Sequence, residues 1–187
     1  MESAVEAKKT LREIARRDRA LSPISTDWLH VLSTQEMLNA RTVATYLSYG
    51  DEPNTRALNK KLLESGKRLL VPKTQSDFSI KWVEWSGQEE ELKKNSFFKK
   101  MKVMEPEGPS INPSEIDVVI LPALLVDRKG VRLGQGGGSY DRALSQINAW
   151  SVALIYSHEL MSQDLPHENH DKKVNAAATP STLIRFI

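Results

Sequence analysis

The chain has 187 residues, 40% of them hydrophobic, enough for one packed domain spanning 1–187. Lys and Arg number 26 against 24 Asp and Glu, a balance that excludes a strongly basic nucleic-acid binder and leaves small anions as ligands. There is no cysteine, which excludes disulfides, thiolate zinc sites and cysteine nucleophiles; with no apolar run of membrane-spanning length and a charged opening segment, a cytoplasmic monomer away from membranes is expected.

Ala4, Ala7, Leu11, Ile14 and Ala15 recur at helical spacing beside Lys8, Arg12, Arg16 and Arg19, predicting an amphipathic helix with a basic flank. Ser22-Pro23 or Ser25 should open a second helix running to about Leu38. "TVATYLSY" (42–49) reads as β-rich, and "DEPNT" turns the chain. Leu58, Leu62 and Leu63 then mark a helix stopped by Gly66, and "KRLLVP" is the next strand. Residues 77–85 alternate Phe78, Ile80 and Trp82 with polar positions, which predicts an antiparallel ribbon projecting from the main sheet. A lysine-rich stretch (93–102) ends in "MEPEGPSINP", where proline and glycine predict irregular chain. "DVVILP" and "SVALIY" are apolar enough to be buried on both faces, with the helix "YDRALSQI" between them and "STLIRFI" closing the chain. Strands alternating with helices predict a three-layer α/β fold around a mostly parallel sheet, with one small antiparallel ribbon.

"RLGQGGGSYDR" (132–142) carries the chemistry. Gly134, Gly136, Gly137 and Gly138 let backbone amides crowd around an anion, and a helix beginning near Ser139 aims its free amides at the same spot. The bland reading is a flexible loop, but four glycines between a buried strand and a helix favour a phosphate cradle. It is not a P-loop, which needs a lysine before the Ser, and not a dinucleotide fingerprint, which begins directly after its strand. Asp141 beside phosphates is repelled unless a cation such as Mg2+ intervenes; equally, it is an ordinary first-turn acid.

The segment "DVVILPALLVDRKGVRLGQGGGSYDRAL" resembles the core motif of the 5-formyltetrahydrofolate cyclo-ligase family. "KKTLR" at the start, "YLSYGDEPNT", "GKRLLVP", the pair Glu105-Pro106, and "LPHENHD" before Thr179-Pro180 follow in family order. The resemblance implies a fold shared with sugar-phosphate isomerases and coenzyme A transferases. It implies ATP- and Mg2+-dependent cyclisation of 5-formyltetrahydrofolate to 5,10-methenyltetrahydrofolate, through phosphorylation of the formyl oxygen. Lys8 and Arg12, otherwise solvated helix cations, then face ATP phosphates, and Lys8 and Arg132 are the catalytic cations. Arg132, Leu133, Gly134, Gln135, Gly136, Gly137, Gly138, Ser139 and Tyr140 form the nucleotide cradle. Leu47 and Glu52 contact folate together with Gln135 to Ser139, and Asp141 and Asp171 hold the metal. His158, His167, His170 and Glu168 lack metal-site spacing and read as loop composition. Ser139 stands where the family usually has a second tyrosine, and Met101 where some relatives carry an aromatic folate contact. The alternative class is a non-catalytic nucleotide- or RNA-binding relative using the lysines of 93–102.

Overall fold

The computed structural model describes residues 3–21, 27–95, 97 and 103–186. Helix α1 (Ala4–Arg19) begins where the Ser3 hydroxyl accepts the Glu6 N–H at 3.2 Å, and its last turn carries Arg16, Arg17 and Arg19 at the carbonyl end. The expected second helix is not one element. Its proposed start at 22–26 lies outside the described residues, Leu29–Ser33 is a 3-10 turn, and α2 (Gln35–Asn39) starts afresh. Thr34 causes the break: its backbone is extended and its hydroxyl accepts the Met37 N–H, because a hydroxyl that bonds nearby backbone favours a cap over a helix interior.

Of 42–49 only β1 (Thr42–Ala44) is strand. Helix α3 (Arg56–Glu64) stops as expected, with Gly66 at φ +77°. β2 (Arg68–Thr74) pairs antiparallel with β3 (Ile80–Glu84). This ribbon does not project: β3 is the edge strand of the main sheet, and consecutive Trp82 and Val83 are both buried, so the expected wet face is covered there. The small antiparallel ribbon is instead β4 (Leu92–Lys94) with β5 (Met104–Pro106), within a stretch expected to be irregular. Pro106 is tolerated because it ends a two-stranded ribbon and needs no donor there. Lys99, Lys100, Met101 and Lys102 lie outside the described residues. β6 (Val118–Pro122), β7 (Leu125–Asp127), β8 (Arg132–Leu133), α4 (Ser139–Leu144), β9 (Trp150–Leu154), β10 (Leu160–Met161), β11 (Ala176–Ala178) and β12 (Leu183–Arg185) follow.

The main sheet has the order β12-β11-β9-β6-β1-β2-β3, parallel throughout except for the two edge strands. Alternation along its strands sends Val43, Leu69, Val118, Ile120, Val152 and Leu154 to one face, against Trp28, Val31, Met37, Leu58 and Leu62. Ala44, Leu70, Val119, Leu121 and Ala153 go to the other, against Ala143 of α4. Both faces are covered, so the strands read as unbroken apolar runs, and the layers are the three expected. A small sheet, β10-β7-β8, packs Leu124, Leu125, Val131 and Leu133 against Leu11 and Ala15, which docks α1 beside the glycine stretch.

Candidate functional site

Topology opens the site. From the centre of the sheet β1 leads to β2 on one side and β6 leads to β9 on the other, so the chains leaving the C-terminal ends of β1 and β6 part and leave a crevice. A cavity of about 690 Å³ occupies it, lined after β1 by Tyr46, Leu47, Tyr49 and Glu52 and after β6 by Pro122, Ala123 and Leu124. That volume suits a ligand of drug size or more. The segment after β1 is held by polar residues rather than by strand pairing. Thr55 Oγ1 and Asn59 Nδ2 both donate to the Tyr46 carbonyl, and the Tyr46 hydroxyl donates to the Pro53 carbonyl at 2.9 Å. Here "DEPNT" folds back to form a wall.

The glycine stretch forms the opposite side, gripped by the basic face of α1. Arg12 Nε donates to the Gly134 carbonyl at 3.0 Å; Arg16 donates through Nε to Gln135 Oε1 and through Nη2 to the Gln135 carbonyl. These bonds fix the Gly134 and Gln135 carbonyls on the α1 side of the loop. Gly136 (φ +107°) and Gly138 (φ +64°) adopt backbone that side chains resist, and no side chain caps α4, which starts at Ser139.

The charges beneath the loop are paired across the site. Arg132, its side chain only 3% exposed, donates to Asp141 Oδ1 at 2.7 Å. Burial pulls its pKa down, opposed by Asp141, and the guanidinium remains cationic. Arg132 Nε is buried with no hydrogen-bond partner among the described residues. Lys8 Nζ lies 2.5 Å from Asp171 Oδ2 and 2.9 Å from Glu168 Oε2. Burial works to lower the Lys8 pKa, but the two carboxylates outweigh it and the net shift is upward. Asp171 moves down overall: burial opposes this, while bonds from Lys8 and the Glu168 N–H prevail. Glu52 differs in kind. Half-buried and bonded, among the described residues, only by the Tyr49 N–H at 3.2 Å, its carboxyl is pushed up to about 7 by loss of water.

A hard cation would find oxygen donors here. The donor atoms of Asp171, Glu168 and His170 lie within 4.8 Å of one another. Asp141 is outside that group; its Oδ1 serves Arg132 and the Lys172 N–H, leaving Oδ2. Carboxylate oxygens are donors of the kind that Mg2+ takes.

Every residue to which the resemblance gave a catalytic, nucleotide, folate or metal role lines this one cavity: Lys8, Arg12, Leu47, Glu52, Arg132 to Asp141, and Asp171. The structure does not join Asp141 to Asp171 as one ligand group. Sequence reasoning set aside Glu168 and His170 and passed over Arg16, Glu105 and Phe78, all of which line the cavity. Position beside Asp171 was the one available signal for the first two; the others depend on tertiary placement. Of the lysines proposed for RNA, Lys93 pairs with Glu107 at 2.6 Å.

The profile of the 5-formyltetrahydrofolate cyclo-ligase family matches residues 6–180. A 5-formyltetrahydrofolate cyclo-ligase of Mycolicibacterium smegmatis is 34% identical over 147 residues, covering 76% of this chain and 75% of that one. The one from Escherichia coli K12 is 30% identical over 181 residues, covering 90% and 97%. The NMR structure of Aquifex aeolicus 5,10-methenyltetrahydrofolate synthetase superposes with a TM-score of 0.79 at 27% identity, over 95% of this chain and 92% of that chain.

Proposed function

The chain belongs to the 5-formyltetrahydrofolate cyclo-ligase family, and from that premise we propose that it uses ATP and Mg2+ to close 5-formyltetrahydrofolate into 5,10-methenyltetrahydrofolate. The observation that carries the ATP half is Arg132, a buried cation that lines the cavity at the base of the glycine loop and whose Nε has no hydrogen-bond partner among the described residues. A buried donor without a partner costs roughly 1–3 kcal/mol, and a phosphate oxygen would remove that cost.

A formyl amide is a poor electrophile and its oxygen a poor leaving group. Transfer of the γ-phosphoryl group to that oxygen breaks the bond to the β-phosphate, releases ADP and leaves an electrophilic iminium carbon. N10 bonds to this carbon and loses its proton, and inorganic phosphate departs with the former formyl oxygen. Such a reaction asks the protein for positioning and positive charge. Lys8 and Arg132 supply charge around the transferred group. Arg12 fixes the Gly134 carbonyl, so the amides of 134–140 can take the phosphates. Leu47, Glu52 and the 135–139 backbone hold the folate. Asp171 with Glu168, and separately Asp141 through its remaining Oδ2, would offer oxygens to Mg2+, which supplies charge neutralisation on the phosphate chain.

The test mixes purified protein with ATP, Mg2+ and 5-formyltetrahydrofolate. Methenyl absorbance should rise only when all are present, with one ADP per product. ATP hydrolysis without methenyl product would sink the proposal.

A further inference from the structure

The turn between β2 and β3 carries a feature that the phosphate chemistry does not use. Phe78 takes φ +63°, the single non-glycine residue at positive φ among the described residues. Glycine or asparagine would adopt this backbone cheaply; a bulky aromatic side chain resists it, and such strain collects at ligand sites. The turn is built to hold it. Phe78 N–H donates to the Gln75 carbonyl, Gln75 N–H donates to the Ser79 carbonyl, and Asp77 Oδ1 accepts from both the Ser79 N–H and hydroxyl. Arg142 Nη2 then donates to the Asp77 carbonyl at 3.2 Å and to the Gly137 carbonyl at 3.0 Å, joining this turn to the glycine loop.

The ring that results lines the cavity and is 43% exposed. It lies over bare backbone: a Cβ on Gly137 would stand 3.3 Å from Phe78 Cδ1. Ile80 and Met104, both apolar, line the same cavity. The ion pairs of Lys8 and Arg132 come from elsewhere, from α1, β8, α4 and 168–171.

We propose that Phe78 is the aromatic wall against which the pteridine ring of the substrate packs, making it a specificity-determining residue of the folate half of the site. The inference rests on the cyclo-ligase reading above. Substrate chemistry selects the pteridine over adenine. The formyl group hangs directly from N5 of the pteridine, so a ring must accompany it to the loop, whereas a triphosphate and a ribose separate adenine from the γ-phosphate that meets the same group. Phe78 also supplies, from another element, the aromatic face that Ser139 lacks.

The experiment measures binding of 5-formyltetrahydrofolate and of a non-hydrolysable ATP analogue, with steady-state kinetics, for the wild type and for Phe78→Gly, Phe78→Leu and Phe78→Trp. Folate binding should weaken, and KM rise, by about tenfold in the Gly and Leu variants and be retained in the Trp variant. Affinity for the ATP analogue should hold within about twofold in all three, on the scale where tenfold is one aromatic contact. The unliganded Phe78→Gly protein should melt no lower than wild type, because glycine relaxes the strained turn. The inference is overturned if Phe78→Leu binds folate as wild type does, if the ATP analogue is lost in parallel, or if the thermal midpoint falls in step with affinity. Wild-type protein that makes no methenyl product overturns the cyclo-ligase reading itself; wild-type turnover with an unaffected Phe78→Gly variant removes only the role of Phe78.

Discussion

Arg132 and Asp141 lie 2.7 Å apart with side chains 3% and 19% exposed, so Asp141 has a duty before any ligand arrives. Replacing it by Asn leaves a buried guanidinium without its counter-charge, an effect of about 3 kcal/mol. Asp141→Asn should therefore lower the urea-unfolding stability of the unliganded protein as well as its response to Mg2+; a variant with unaltered stability would mean that Asp141 acts on the metal only. Glu52 makes the opposite case. Its carboxyl titrates near 7 in the fold and near 4.5 when unfolded, so the folded state binds the extra proton between those values. The stability present below pH 4.5 is lost as pH rises through 7. Glu52→Gln should match wild type at pH 4 and exceed it by roughly 1–3 kcal/mol at pH 8, read from urea unfolding at both pH values. At this scale the sequence was generous about which residues meet: position in the family motifs brought Lys8, Glu52 and Arg132 to one cavity. It was silent on pairing, because whether Asp141 faces Arg132 or Asp171 depends on where α1 and 168–171 come to rest.

At the scale of elements, the glycine loop is not four equal glycines. Gly136 and Gly138 need positive φ, whereas Gly137 has an ordinary φ and its hydrogen faces the Phe78 ring. Gly138→Ala should cost about 1–2 kcal/mol of stability through left-handed backbone at the start of α4. Gly137→Ala should leave stability nearly unchanged and raise the KM for folate, since the new methyl meets Phe78 at 3.3 Å. Urea unfolding beside kinetics separates the two. The long buried strands β6 and β9 were legible because a sheet covered on both faces demands unbroken apolar runs. The β4–β5 ribbon was not, because strands of three residues carry too little pattern to outweigh proline and lysine. The second helix failed for a local reason, the Thr34 hydroxyl competing with helix continuation.

At the scale of the whole molecule, alternation of strands and helices was enough to announce a parallel three-layer fold, and a parallel sheet whose order reverses between β1 and β6 determines where the crevice must open. The hydrophobic pattern alone left open how α1 returns to close it, since a helix with a basic flank looks the same whether the flank is solvated or gripping a loop; only the family resemblance put Lys8 and Arg12 there. That return has a consequence in time. Arg12 reaches Gly134 across 122 positions of chain, and Lys8 reaches Asp171 across 163. At roughly 5–20 residues per second of synthesis, α1 leaves the ribosome on the order of ten to thirty seconds before the acids that receive its lysine. Until β7 and β8 follow, the apolar stripe of Leu11 and Ala15 has no small sheet to dock on and stays exposed. The helix made first therefore waits for nearly the whole chain before its lysine finds its partners.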